Sequence, residues 1–261
     1  MGTTLLHDFL GSFTINLDDS FPIDRFIKET GAWELHVTQL INRFAVQGHT
    51  CIDVGANAGY HTLAMAGAVG ASGHVFAFEP NYVTYPKLLE NLSLNPQVAS
   101  RVTCIQAGLS DKEGELRVYQ SGEEPGNAYV SDRYDESLWN MGTPDDFTVC
   151  KVHRLDSYIQ PLLPPGALVG VIKIDVEGME LEVLRGAHGI LTTHLPTVLF
   201  ETSLVHFSHD KIKESEVYLR SLGYELLGIH PETSKLTPVT YPDFGIDTVA
   251  VHRSKIGTAQ I

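Results

Sequence analysis

The chain has 261 residues, 43% of them hydrophobic and 19% charged, the composition of a folded globular protein rather than a disordered one. Eighteen Lys and Arg stand against 32 Asp and Glu, a net charge of −14 with no basic cluster, which argues against nucleic acid or an anionic membrane surface as partner. No stretch approaches the roughly 20 apolar residues of a membrane span, and the N-terminal MGTTLLHDFLGSFTINLDD lacks the basic start and apolar run of a secretory signal.

Residues 1–31 carry no clear pattern. From there Trp33, Val37, Leu40, Ile41 and Phe44 fall at helical spacing, and Gly48 stops the helix. Thr50–Val54 is a short apolar strand that runs into a Gly-rich turn. Tyr60–Val69 is a helix of small residues. His74–Phe78 is a second strand, ending in Glu79-Pro80-Asn81. Thr84–Asn95 is a helix with Leu88, Leu89 and Leu92 on one face, and the sequon Asn91-Leu92-Ser93 is read as unused because it lies inside it. Arg101–Ala107 is a third strand. Glu115–Tyr119 and Thr148–Arg154 read as extra strands around a polar stretch bearing Tyr129, Tyr134 and Trp139, either a surface loop or a lid over a substrate. Leu168–Val176 is the fourth strand of the regular alternation. A helix follows with Met179, Val183, Leu184, Ala187, Ile190 and Leu191 inward. Thr197–Glu201 is a strand, Lys211–Leu222 a helix closed by Gly223, and Tyr224–Ile229 with Thr248–His252 a final antiparallel pair.

Strands alternating with helices of this length imply an α/β protein with a mostly parallel seven-stranded sheet, helices on both faces and the last strands as a hairpin. One domain is expected over 1–261: an N-terminal helical extension (1–48), a core (49–110 and 166–253) and an inserted hairpin or lid (111–157). The cysteines are few, and Cys51 and Cys104 lie in strand-like runs, so a reducing, cytoplasmic location is expected.

In such a sheet, ligands bind outside the carboxyl ends of the strands. Asp53-Val54-Gly55-Ala56-Asn57-Ala58-Gly59 stands at the first such end. Glycine lets a ligand approach the backbone, and Asn57 can adopt the left-handed conformation in place of a middle glycine. The dinucleotide pattern Gly-x-Gly-x-x-Gly is absent, which argues against a nicotinamide-dependent oxidoreductase. An acid two residues before the first glycine repels pyrophosphate and suits a cationic ligand. Glu79, 26 residues after Asp53, is placed to accept hydrogen bonds from ribose hydroxyls. Asp175 and Glu177, in Lys173-Ile174-Asp175-Val176-Glu177-Gly178, and Glu201 end neighbouring strands and border the same cleft; Lys173 and Asp175 share a strand face and can pair. His206 follows Glu201 and titrates near neutrality.

These blocks resemble the FkbM-type family of methyltransferases: IDVGANAGYHT at 52–62, FAFEPN at 76–81, GLSDKEGEL at 108–116, VHRLDSY at 152–158 and KIDVEGMELEVLRGA at 173–187. The resemblance runs from about Glu34 to His252 and implies the class I, Rossmann-like methyltransferase fold with S-adenosylmethionine as cofactor. It implies that Asp53, Gly55, Asn57 and Gly59 hold the methionine part, that Glu79 binds the ribose, and that Asn81, Ala107 and Gly108 flank the adenine. Tyr60 and Pro80 are counted with them. Asp175 is expected to face the sulfonium methyl or the acceptor. O-methylation of a hydroxyl on a sugar or secondary metabolite is implied, with Asp175, Glu177, Glu201 and His206 as candidate bases. The alternatives are a carboxylate, amine or peptide-terminus acceptor, or a non-catalytic adenosyl-binding module. No metal is demanded, although Asp175 and Glu201 can supply oxygen ligands to a divalent cation.

Overall fold

The computed structural model describes residues 2–120, 128–131, 147–203, 209–230 and 232–257. It opens with a hairpin, β1 (Thr3–Phe9) and β2 (Phe13–Asp18), followed by α1 (Pro22–Thr30) and α2 (Leu35–Phe44). The expected helical extension therefore begins as β structure. Phe13, Ile15 and Leu17 alternate inward along β2, the period-2 mark of a half-buried strand. The helix expected from Trp33 starts at Leu35, behind Glu34 in a left-handed conformation (φ 41°).

Strand β3 (Thr50–Val54), α3 (Tyr60–Ala68), β4 (His74–Phe78), α4 (Tyr85–Ser93), the short α5 (Pro96–Ala99) and β5 (Val102–Ile105) make two successive crossover units. The third strand ends earlier than its apolar run, because the Ala107 N–H turns back to the Ile105 carbonyl. The chain then builds β6 (Gly108–Leu109), β7 (Gly114–Gln120), β8 (Ala128–Ser131) and β9 (Phe147–His153), a separate four-stranded sheet in the order β6-β9-β7-β8. The two extra strands expected here lie in β7 and β9; most of the polar stretch between them lies outside the described residues.

After α6 (Leu155–Ile159) the chain returns to the main sheet through β10 (Val169–Ile174). Two helices follow, α7 (Glu180–Gly186) and α8 (His188–Thr193), where one was expected. The Asp156 carboxylate of α6 accepts the N–H groups of Gly189 (2.7 Å) and Ile190 (2.9 Å), an N-cap borrowed from another element that starts a new helix. Then come β11 (Thr197–Glu201), α9 (His209–Ser221), β12 (Tyr224–Ile229), β13 (Leu236–Pro238) and β14 (Asp247–His252).

The main sheet has eight strands rather than seven, in the order β13-β12-β14-β11-β10-β3-β4-β5. The extra one, β13, is a three-residue edge strand, too short to show a period. From β11 to β5 the strands are parallel. β14 inserts antiparallel between β11 and β12, so the final pair forms as expected. Successive residues feed two cores. Cys51, Val75, Ala77, Val171 and Leu199 pack with the hairpin and α2–α4. Ile52, Val54, Phe76, Ile172 and Phe200 pack with α6–α9. The strand order reverses between β3 and β10, and at such a switch point a crevice opens outside the carboxyl ends.

The sequon asparagine is spent on structure. Asn91, 1% exposed, donates its amide to the Ala58 carbonyl (2.9 Å), and its Oδ1 accepts the Asn16 N–H (2.8 Å). Cys51, Cys104 and Cys150 are free. Among the described residues no helix is long and apolar enough to cross a membrane.

Candidate functional site

The turn after β3 is shaped by a near-collision of backbones. Gly55 has φ 78°, and a Cβ there would sit 1.8 Å from the Asp175 carbonyl oxygen, so only glycine lets the ends of β3 and β10 come this close. Asn57 takes the expected left-handed conformation (φ 50°). Its N–H donates to Glu79 Oε2 (2.7 Å), while Glu79 Oε1 accepts the Asn81 N–H (2.8 Å). Glu79 thus ties the turn to the end of β4. Burial pushes its pKa up to about 7 against these two hydrogen bonds and a third from the Thr84 side chain. The carboxylate keeps a lone pair for a ligand.

Between the strand ends, the N-terminal segment and the second sheet lies a cavity of about 680 Å³, within the usual range for a small-molecule site. Of the residues picked out in the sequence, Gly55, Asn57, Tyr60, Glu79, Pro80, Asn81, Ala107, Gly108, Asp175, Glu177 and Glu201 all line it. Asp53 and Gly59 stand behind the wall. Gly59 (φ 90°) packs on α4, where a Cβ would come 2.6 Å from Leu88 Cδ1. Asp53 is fully buried on the α3 side of β3, its Oδ2 accepting the Thr62 hydroxyl (2.5 Å). Burial raises its pKa, with Lys173 and Thr62 opposing. Tyr60 lines the cavity while its hydroxyl donates to buried Asp24 of α1. His206 lies outside the described residues.

Lys173 joins the two halves. It sits beside Asp53 in register, with Nζ 3.9 Å from Asp53 Oδ1 and donating to Asp175 Oδ2 at 3.0 Å. Burial works against its charge, but Asp175, Asp53 and Glu34 outweigh it and hold it protonated. Beyond it the cavity is acidic. Asp175, Glu177 and Glu201 each offer an oxygen, all within 4.8 Å of one another, close enough to share one hard divalent cation. Burial, then Asp175, raises Glu177 to about 7, and burial, then Asp175 and Glu177, raises Glu201 to about 10. The turn carrying Glu177 (φ 54°) is braced from α7: Glu180 accepts the N–H groups of Val176 (3.0 Å) and Gly178 (3.2 Å).

Three further titratable residues line the cavity without having been singled out in the sequence: Glu34 before α2, His61 in the first turn of α3 and Asp247 at the start of β14. Asp247 stands opposite Glu201 in the sheet and is bonded to His36 (2.8 Å). His61 had a local signal, since it follows the Gly-rich turn by two residues. Glu34 and Asp247 had none.

A parallel sheet with this switch point, a Gly-rich turn at its first strand end and acids at the next two defines the class I, Rossmann-like methyltransferase fold. The chain belongs to the FkbM methyltransferase family: the model of the methyltransferase FkbM domain matches residues 53–226. It is 32% identical over 154 residues to methyltransferase sdnD of Sordaria araneosa, covering 52% of this chain and 59% of that one. It is 30% identical over 177 residues to the hexuronic acid methyltransferase AglP of Haloferax volcanii, covering 68% of this chain and 64% of that one. The chain spans about three fifths of the length of these curated relatives. The crystal structure of a methyltransferase FkbM from Methylobacillus flagellatus superposes with a TM-score of 0.50 at 17% identity, over 82% of this chain and 50% of that one, a likeness of fold.

Proposed function

We propose that the protein is an S-adenosylmethionine-dependent methyltransferase acting on a hydroxyl of a small molecule, a sugar or natural product. The observation that carries this reading is one cavity with the Gly55–Gly59 turn at one end and Asp175, Glu177 and Glu201 at the other. The residues fit the cofactor. The cavity is large enough, its walls are acidic where the sulfonium and ammonium of the methionine part would lie, and Glu79 offers a lone pair to a ribose. The similarity to a hexuronic acid methyltransferase supports a sugar acceptor. A cytoplasmic location remains part of the proposal, as does a single domain over 1–261.

When bound, the cofactor supplies an electrophilic methyl on a sulfonium. The chain's part is to orient it, to hold the acceptor in line and to take the acceptor's proton. Asp175 is occupied by Lys173 at 3.0 Å, so its carboxylate is already engaged. Glu177, raised to about 7, is matched to neutral pH and is the better base. Glu201 and Asp247 then shape the acceptor's end, and Asp53 and Gly59 act from behind the turn.

Calorimetric titration with S-adenosylhomocysteine tests the cofactor, and methyl transfer to a panel of hydroxylated acceptors tests the reaction. Micromolar binding followed by transfer is expected; no binding sinks the reading. Replacing Glu177 by Gln is expected to lower turnover by about 10²- to 10⁴-fold with homocysteine-adduct affinity nearly unchanged. Full turnover in that variant would move the base elsewhere. Repeating the titration with and without magnesium tests the three carboxylates as a metal site.

A further inference from the structure

Two of the polar side-chain atoms buried around the cavity make no hydrogen bond: Asp53 Oδ1 and His61 Nε2. Asp53 Oδ1 has the Lys173 ammonium 3.9 Å away. His61 is different. It is 5% exposed, occupies the second position of α3 and lines the cavity. Its ring is hydrogen-bonded to the backbone carbonyl of Glu34. Since Nε2 has no such bond, Nδ1 is the donor, and a neutral ring keeps its lone pair on Nε2. Burial, then Lys173 and His36, holds that ring neutral. The Glu34 carboxylate lies beside it, Oε2 at 3.9 Å from Nε2, too far for a direct hydrogen bond.

With Glu34 ionised, the pair is two acceptors 3.9 Å apart. Two acceptors at this spacing bracket a group with several N–H or O–H bonds. The field selects among such groups: Asp175, Asp247 and Glu177 all add negative potential at Glu34, and Lys173 alone opposes them. An ammonium is favoured over water.

We propose that Glu34 and His61 together seat the α-ammonium of the cofactor's amino-acid end. This rests on the cofactor reading above. The first turn of α3 has backbone N–H groups without helical partners, which favour a carboxylate. A zwitterion laid along that turn meets the carboxylate-binding and ammonium-binding groups at once. An amine acceptor is the other source of an ammonium, and the test separates the two; the position of His61, two residues after the Gly-rich turn, favours the cofactor. The N-terminal segment then belongs to the cofactor site through Glu34, and the protein selects cofactors with an intact amino-acid end.

The test compares three ligands by calorimetry: S-adenosylhomocysteine, S-adenosyl-3-thiopropylamine (ammonium without carboxylate) and 5′-methylthioadenosine (neither). The first two are expected to bind the wild type about ten- to a hundredfold more tightly than the third. Glu34→Gln and His61→Leu are each expected to shrink that gap by about tenfold with methylthioadenosine affinity unchanged. A gap that persists in both variants overturns the seat, as does a parallel loss for all three ligands, which marks a structural role. Variants that keep the gap but lose affinity for putrescine, added with S-adenosylhomocysteine, place the seat on the acceptor side and overturn it too. A wild type that binds none of the three removes the cofactor reading itself, and the seat with it.

Discussion

Glu34 is half-buried among like charges, and this sets its acid–base behaviour. Burial, then Asp175 and Asp247, pushes its pKa up to about 8, with Glu177 adding to the rise and Lys173 opposing it. His61 of α3 also faces it, Nε2 at 3.9 Å from Oε2, and His36 of α2 acts in turn on His61. At pH 7 the free protein therefore holds Glu34 mostly protonated. A cation seated against it favours the ionised form and lowers that pKa. Binding of S-adenosylhomocysteine at pH 7 is then expected to release up to about one proton, and the affinity to rise with pH up to about 8. Calorimetry in phosphate and in Tris at pH 7 measures this as a difference in apparent enthalpy. Equal enthalpies in the two buffers would remove Glu34 as the group that meets the cation, and Glu34→Gln is expected to abolish the difference.

Elements here are joined by side chains that imitate backbone. Strand β2 has β1 on one edge, and on the other α4 and the turn into α5 supply what a strand would: Asn95, just before α5, accepts the Thr14 N–H (2.9 Å) and donates to the Thr14 carbonyl (2.7 Å), while Asn91 of α4 accepts the Asn16 N–H. Asn95→Ala strands both Thr14 groups and is expected to cost about 2–4 kcal/mol. Hydrogen exchange should show β1 and β2 amides quickening ahead of the central strands; uniform acceleration would mean that the hairpin is not a separate unit. These bonds span 75 to 81 residues of sequence, and that is why the region was opaque to pattern reading. The same holds for the break between α7 and α8, imposed by Asp156 from 33 residues upstream. By contrast, the parallel strands, the left-handed Asn57 and the acids at the ends of β10 and β11 were legible, because each is a local signal of period, backbone or charge in an apolar run. Asp53 was legible as special but not in its direction. The strand period puts it with Cys51 on the α3 face, so it works through Lys173 and Thr62 from behind the wall. Glu34, His61 and Asp247 meet only after folding, from 34, 61 and 247 in the chain.

At the scale of the whole molecule, the sheet's carboxyl ends concentrate acids that the free protein can keep only by holding protons. Glu34, Glu177, Glu180 and Glu201 all have pKa values raised by burial first, to about 8, 7, 8 and 10. A carboxyl raised above its unfolded value of about 4.3 stabilises the fold fully below that value and loses the contribution as pH rises through the folded pKa. The thiols of buried Cys51 and Cys150 and half-buried Cys104, raised by desolvation, act in the same direction at higher pH. His49, His61, His74, His194 and His252, all lowered by burial first, oppose them, but that stabilisation is lost only as pH falls below 6.5, so they have no say above pH 7. Lys255, lowered by burial, opposes them from the alkaline side. Between pH 7 and 9 the raised carboxyls outnumber it, and the ligand-free protein is expected to lose thermal stability. A bound cationic cofactor compensates the same charges, so the rise in Tm on adding saturating S-adenosylmethionine should be larger at pH 9 than at pH 7. Thermal melts at both pH values, with and without ligand, measure both effects. A ligand-free Tm that is flat or rising over this window would show that the acids do not share their cavity as charged neighbours. A cofactor shift independent of pH would show that they do, but that the cofactor's charge lies elsewhere.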